Sequence, residues 1–444
     1  MKLGAVRALL VLSLLATLLS CAKFSHCENR SWSTPDQYIH ACYSDIPALY
    51  SERGLGRHHW VYSLGEKSVE YPVITGVVMW ATTYISHSFK SYFNANAILI
   101  ALLFFALLLL LRRAHPQYWY LLPLSPAVIG SLYINWDLWA IISMVGAIYL
   151  FDRGRLHWSA ILLGVSVATK FFPIIFLLPI ALILWRRNQL LALAKYLAIA
   201  LTTWLVINLP VILTTPSGWW HFYSLNINRS ADWGSLWYAL SLLGVPLNQL
   251  NLFSLLTFLI LLAAFALYFF ELKFSSTLAE ISFIVMAASM AVNKVYSPQY
   301  VLWLAPLAIM VLQKNRSLFT AFWIWQGGEL FYHVAIWQHL ASYSGAKFGL
   351  SDGGYALATL LRIATTTFFI AQIVRLQLRA GAKHAGKPQS LLLDFLFDAG
   401  KSYPYPPSPE LALADFDVGA LTLLSRKYRG RLSPEEVGLT HASL

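Results

Sequence analysis

CYSDIPALYSERGLGRHHWVYSLGEKSVEYPVITG, residues 42–76, is a charged, turn-rich stretch set in a chain of apolar runs. It gathers Asp45, Glu52, Arg53, Glu66 and Glu70 among aromatic residues and turn formers, between a first hydrophobic segment (Leu3 to Ser20) and all the later ones. Charge is scarce elsewhere. In a chain that is 58% hydrophobic and 12% charged, carboxylates beside a membrane need a partner, water or a task, because an ionisable group left alone there costs several kcal/mol. The stretch therefore reads as an extramembrane loop with work to do, and the runs around it read as membrane helices.

Those runs are 15 to 25 residues long, about the length that crosses a hydrocarbon core. They predict an all-α polytopic membrane protein and exclude a soluble fold. The formal charge of +12 over 444 residues sits mostly at the ends of apolar runs, where it sets orientation, so nucleic-acid binding is not expected and the expected medium is a lipid bilayer. Aromatic residues make up 15% of the chain, with 17 Trp, more than interface belts alone usually require. Belts and packing account for most of them, and stacking on sugar rings or prenyl chains is the other use such a surplus has.

Counting Lys and Arg over short loops places the start inside, the loop 21–93 outside, and about 12 crossings in all. The basic first segment resembles an export signal, but the spans downstream favour an uncleaved first helix. Segment 72–86, short and opened by Pro72, is expected to be re-entrant or interfacial, with a full crossing as the alternative. Spans are expected at 94–111, 118–134 and 136–151, then as two short pieces between His157 and Trp185 broken at Lys170-Phe171-Phe172-Pro173. Further spans follow at 190–213, 250–270, 277–292, 299–313, 316–340 and 354–376, and a flexible cytoplasmic tail covers 377–444, with four prolines between Tyr403 and Pro409. No internal repeat is evident. Cys27 and Cys42 are close enough in sequence to close a small disulfide in an outer loop, but three cysteines leave one over and the pairing stays open.

With this topology the polar residues at span mouths gather on the outer face: Asp45, Glu70, Asn135, Asp137, Lys170, His221, Arg229, Asp232, Asn293, Lys294 and Gln299. His333 and His339, six apart in an aromatic helix, are further candidates. Each has a structural alternative. Asp137 could cap a helix and Asn135 close a turn, Lys170 could snorkel, Arg229 and Asp232 could simply pair, and a helical histidine is commonly just hydrogen-bonded. The one-sided gathering favours an enzyme open to one face over an alternating-access transporter, whose polar site belongs near the midplane. There is no Walker loop, dinucleotide fingerprint, His-Glu-x-x-His or paired CxxC, so any group donor is expected to come from the membrane itself.

Several stretches resemble glycosyltransferase family 87. They are Asp45-Ile46-Pro47-Ala48-Leu49-Tyr50, Glu70 to Gly76, Asn135-Trp136-Asp137-Leu138, Arg153-Gly154-Arg155, GVSVATKFFP at 164–173, the loop Arg229 to Trp237, and NKVYSPQY at 293–300. This family comprises polyprenyl-phosphate-mannose-dependent α-1,2-mannosyltransferases of the GT-C superfamily, and the chain looks most like an actinobacterial member, over residues 4 to 376. The resemblance implies a monomeric multi-pass cell-membrane enzyme without cofactor or metal. It would move a hexose, expected to be mannose, with inversion, from a polyprenyl-phosphate sugar donor to a glycolipid or glycan acceptor on the extracytoplasmic face. Asp45 stands where the family has its catalytic base. Lys170, Arg229 and then Lys294 are the candidate cations for the leaving phosphate, and the remaining outer-face residues with His333 would bind substrate. The alternative is a transporter or flippase of lipid-linked sugars.

Overall fold

In the computed structural model, which describes residues 3–271, 276–314 and 318–384, the first hydrophobic segment does not stop at Ser20. No breaker interrupts Cys21 to Asn29, so helix α1 (Leu3–Asn29) runs nine residues further and carries Cys21 and Cys27 on it. The chain then turns through the positive-φ residues Ser31 and Trp32, and the Cys27–Cys42 disulfide ties the end of α1 to the loop that follows. Cys21 is the free, exposed thiol. The loop contains α2 (Asp36–Ile39), α3 (Asp45–Glu52) and α4 (Val73–Thr83). At 1.5 Å per residue the 11-residue α4 is about 16 Å long, half a hydrocarbon core and too short to cross one by itself.

Helix α5 (Phe89–Ala114) starts five residues before the expected span, because Ser88 and Ser91 form a reciprocal capping box there. The single span expected over 118–134 is absent. Pro123 and Pro126 lack the N–H groups a continuous ladder needs, and the chain folds instead as α6 (Leu121–Leu124) and α7 (Pro126–Ser131), joined by an extended Ser125. The short helices α8 (Leu138–Asp152) and α9 (Leu156–Thr169) pack on each other, and a 3-10 turn over Phe172–Phe176 leads into α10 (Leu177–Arg186), so the chain does break after Lys170. Helices α11 (Leu190–Thr214), α12 (Pro216–Asn228), α13 (Leu236–Leu242), α14 (Leu250–Glu271), α15 (Leu278–Val292), α16 (Val301–Lys314), α17 (Phe319–Tyr343) and α18 (Asp352–His384) complete the order. Helix α18 passes the domain boundary expected at 376. The tail from 385 to 444 lies outside the described residues.

Among the described residues all regular elements are helical. Five helices among the described residues are long and apolar enough to cross a membrane, namely Val6–Asn29, Phe89–Ala114, Leu190–Thr214, Leu250–Phe270 and Asp352–Arg379. Shorter apolar helices, such as Leu138–Asp152 and Leu278–Val292, lie in the interior; almost every residue of α15 is buried. The division of labour is physical. Helix α14 is only 11% buried over its apolar stretch and presents Leu252, Phe253, Leu255, Leu259 and Ile260, a surface suited to lipid and unsuited to water. Helix α17 is 25 residues long, but Gln326, Glu329, His333, Gln338 and His339 lower its hydropathy below that of a lone crossing, and it packs along α18. At that contact a Cβ on Gly328 would lie 2.1 Å from Thr365 Oγ1, so only glycine permits the approach. Over the described residues the chain is thus all-helical, with the apolar helices of a membrane-embedded protein.

Candidate active site

The motifs from 42–76 reach their places because the loop is sewn to the helix ends. The Ser44 hydroxyl donates to the Tyr133 carbonyl (2.7 Å) and the Asp45 N–H to the Ile134 carbonyl (2.8 Å), which docks the first turn of α3 on the connection between α7 and α8. Thr75 on α4 donates to the Thr169 carbonyl at the end of α9 (2.6 Å). Further along, the Asp232 N–H donates to the Lys294 carbonyl (2.9 Å), joining the loop after α12 to the corner between α15 and α16.

These junctions enclose a cavity of about 410 Å³. Asp45, Glu70, Asn135, Lys170, Arg229, Asp232 and Gln299 line it, seven of the residues expected to meet there. Asp45 sits in the first turn of α3, partly buried. Burial lifts its carboxyl to about 6, against the pull of a Tyr43 hydrogen bond and of the Lys170 charge; Asp137 and Glu70 lift it further. The Tyr71 hydroxyl donates to Asp45 Oδ2 at 3.3 Å. Burial, and then the Asp45 charge, push the Tyr43 and Tyr71 hydroxyls well up, so both stay protonated and act as donors.

Lys170 is the C-cap of α9, with extended backbone, where the broken helix opens. Its Nζ lies 3.0 Å from Asp137 Oδ1 and 4.3 Å from the centre of the Tyr71 ring. The Asp137 contact is an attraction of charges without the alignment of a hydrogen bond, since Oδ1 is left without a directed donor. Asp137 itself does not line the cavity: it lies behind Lys170 with 1% of its side chain exposed, and Trp303 Nε1 donates to Oδ2 at 2.9 Å. The structure therefore gives Asp137 a holding role and no capping bond. Asn135 Oδ1 accepts from the Asp137 N–H (3.0 Å), while its buried Nδ2 has no protein partner on the cavity wall. Arg229 and Asp232 form an ion pair, and Glu70 is held by Arg53.

Five expected residues lie elsewhere. His333 is buried behind the cavity, with Nε2 3.0 Å from Lys23 Nζ and accepting from Trp337 Nε1 (3.3 Å); Lys23 also donates to the Gly130 carbonyl, so this group ties α1, α7 and α17 together. Lys294 reaches away to the Asn226 and Ile227 carbonyls (3.3 and 3.0 Å) and to Asn251 Oδ1 (2.6 Å). Its ammonium is pulled down by burial and by Arg229. Asn293 Oδ1 accepts the Lys294 N–H, closing the corner, and His221 on α12 is outside the lining. His339 stacks flat on Tyr355 at 4.2 Å, as a packing residue does.

Two features of the site were not anticipated from the sequence. Tyr38, Tyr43 and Trp337 form one aromatic wall of the cavity, with centroids 5.7 Å apart for Tyr38 and Tyr43, 6.3 Å for Tyr38 and Trp337, and 5.5 Å for Tyr43 and Trp337. In a chain so rich in aromatics nothing marks these three. The second is a buried pair, Glu329 with Arg362, which intramembrane charge could have flagged. Arg362 Nε donates to Glu329 Oε2 (2.9 Å), Nη1 to the Tyr296 carbonyl (2.5 Å) and Nη2 to the Ser297 carbonyl (3.1 Å), so it shapes the 293–300 corner from behind. No group of metal-ligating side chains with suitable spacing lies on the cavity among the described residues. The arrangement offers a proton acceptor near neutrality, two cations, an orphaned amide donor and a stacking wall. Comparison with protein-family models, with curated proteins and with solved structures finds no match to this chain.

Proposed function

We propose that this protein is an integral membrane glycosyltransferase that moves a hexose, mannose in the first instance, from a polyprenyl-phosphate sugar to a hydroxyl of a cell-envelope glycolipid or glycan. The observation that carries the reading is the cavity in which the Asp45 carboxyl, raised to about 6, faces Lys170 and Arg229. Asp45 accepts the proton of the acceptor hydroxyl as its oxygen attacks the anomeric carbon. The bond from that carbon to the phosphate oxygen breaks on the opposite side, with inversion, and the phosphate leaves with the electron pair. Lys170, poised by Asp137, and Arg229 meet its charge. The aromatic wall suits a sugar ring, and Asn135 Nδ2 suits a sugar hydroxyl or a phosphate oxygen. An apolar groove of about 200 Å³, lined by Phe171, Ile174, Leu177, Leu197, Leu201 and Trp204, begins next in sequence to Lys170, as a prenyl tail would need. In this reading the cavity faces the extracytoplasmic side, and α6 with α7 count as one broken member of about twelve crossings.

The test is transfer by the purified protein from labelled polyprenyl-phosphate sugars to a membrane lipid extract. Label appearing in an extractable product, and lost about 10² to 10⁴-fold with Asp45→Asn, supports the assignment. Full turnover by Asp45→Asn would remove Asp45 as base, and label carried across vesicles without transfer would favour a flippase.

A further inference from the structure

Outside the cavity, the disulfide-closed loop brings three ligand-type side chains together. His26 stands one residue before Cys27 in the last turn of α1, and His40 two residues before Cys42, so the Cys27–Cys42 bond holds both imidazoles beside each other. Between them in sequence, Asp36 opens α2 and lies one helical turn from His40. His26 Nε2 is 2.8 Å from Asp36 Oδ2 and His40 Nδ1 is 3.2 Å from Asp36 Oδ1. The two imidazole centres are 3.7 Å apart, and one ligand atom from each of the three side chains falls within 4.8 Å of the others. Ligands at 2.0–2.1 Å from a tetrahedral ion stand about 3.3 Å from one another, so the widest of these separations has to close by about 1.5 Å or less.

His26 Nε2 is hydrogen-bonded to the Asp36 carboxylate, and His40 Nδ1 lies against the same carboxylate, within reach of it by a small ring rotation. The site is also reachable: the side chains of His26, Asp36 and His40 are 37%, 29% and 45% exposed. Its frame exists without an ion, because the disulfide closes one side, the Trp32 indole donates to the Cys42 carbonyl (3.2 Å), and Gln338 on α17 donates to the Ile39 carbonyl (3.1 Å). The competing contact is modest: His40 Nδ1 also lies 3.1 Å from the Asp36 carbonyl and would give that up.

We propose that His26, Asp36 and His40 bind one divalent transition ion of the zinc class. Two imidazoles and one carboxylate suit zinc, whereas magnesium and calcium favour oxygen-only sets. Three protein ligands leave a fourth position for water. The ion clips the end of α1 to α2, and thereby steadies Tyr38, which follows Asp36 by two residues and stands in the aromatic wall of the cavity. The site does not depend on the sugar-transfer reading.

The experiment uses the full chain in detergent, stripped with chelator and titrated with zinc against a colorimetric indicator, with magnesium in excess to occupy oxygen sites. One zinc per chain is expected, weakened at least about tenfold by His26→Gln and by His40→Gln. Thermal unfolding is the second readout: zinc raises the Tm of the wild-type chain and leaves that of the His26→Gln/His40→Gln double variant unchanged. Zinc bound equally by wild type and double variant, or a Tm that zinc does not move in the wild type, overturns the proposal.

Discussion

At the scale of single residues, Asp45 is the group whose ionisation can be followed. Its carboxyl is raised from 3.8 to about 6 in the folded chain, so it is charged, and able to take a proton, above that pH. The kcat/KM, which reports the free enzyme, should fall about tenfold per pH unit below 6 and level off above it. The stability sign is opposite: the folded state holds this proton more tightly than the unfolded chain, so the contribution is complete below pH 3.8 and is lost as pH rises through about 6. Glu70→Gln, which only loosens the Arg53 contact, should cost far less turnover than Asp45→Asn. Lys170 can be separated from its structural duty in a similar way. Lys170→Met leaves the Asp137 carboxylate buried without its cation and should cost about 3–5 kcal/mol of stability. Adding Asp137→Asn should restore the Tm but not the affinity for a polyprenyl-phosphate sugar; restored affinity would make Lys170 a purely structural residue.

At the scale of elements, the corner 293–300 is held by two helices that contribute nothing to the cavity's charge. Arg362 on α18 is fully buried, pairs with Glu329 on α17 and donates to the carbonyls of Tyr296 and Ser297, while the Tyr296 hydroxyl donates to Glu329 Oε1 at 3.1 Å. Arg362→Met should therefore lower stability by about 3–5 kcal/mol, seen as a fall in Tm, since it strands a buried carboxylate and two carbonyls at once. The Glu329→Gln/Arg362→Met double variant should recover part of that loss, because the stranded charge is gone. If the double variant were no more stable than the single one, the penalty would lie in the corner's carbonyls alone. The broken helix at Lys170 works differently. Its break was legible from Pro173, whereas the break at Ser125 was not anticipated although Pro123 and Pro126 stand in plain view, because the apolar run around them has the length of a crossing.

At the scale of the molecule, the arrangement of helix ends fixes which residues share a face, and labelling can assign that face to a side of the membrane. In a Cys21→Ser background, cysteines at Ser217 and Lys347 should react with an impermeant thiol reagent in intact cells, and one at Arg155 should react only after permeabilisation. Labelling of Arg155→Cys in intact cells would reverse the proposed orientation and place the cavity inside.

Composition and apolar run length determined the all-helical, membrane-embedded character of this chain, since a bilayer leaves the backbone few other ways to satisfy its polar groups. Charge scarcity also pointed to Asp45, Glu70, Lys170 and Arg229, because an ionisable group in such surroundings must be accounted for. The tertiary structure alone decided which of these meet. Asp137 went behind Lys170, Lys294 turned to the end of α12, and His333 joined Lys23, each to satisfy a nearer partner. The sequence holds no trace of those choices, because a side chain's partner is set by three-dimensional distance and desolvation, and Lys23 and His333 are 310 residues apart along the chain. For the same reason Tyr38, Tyr43 and Trp337 became a wall only when α2 and α17 were packed together.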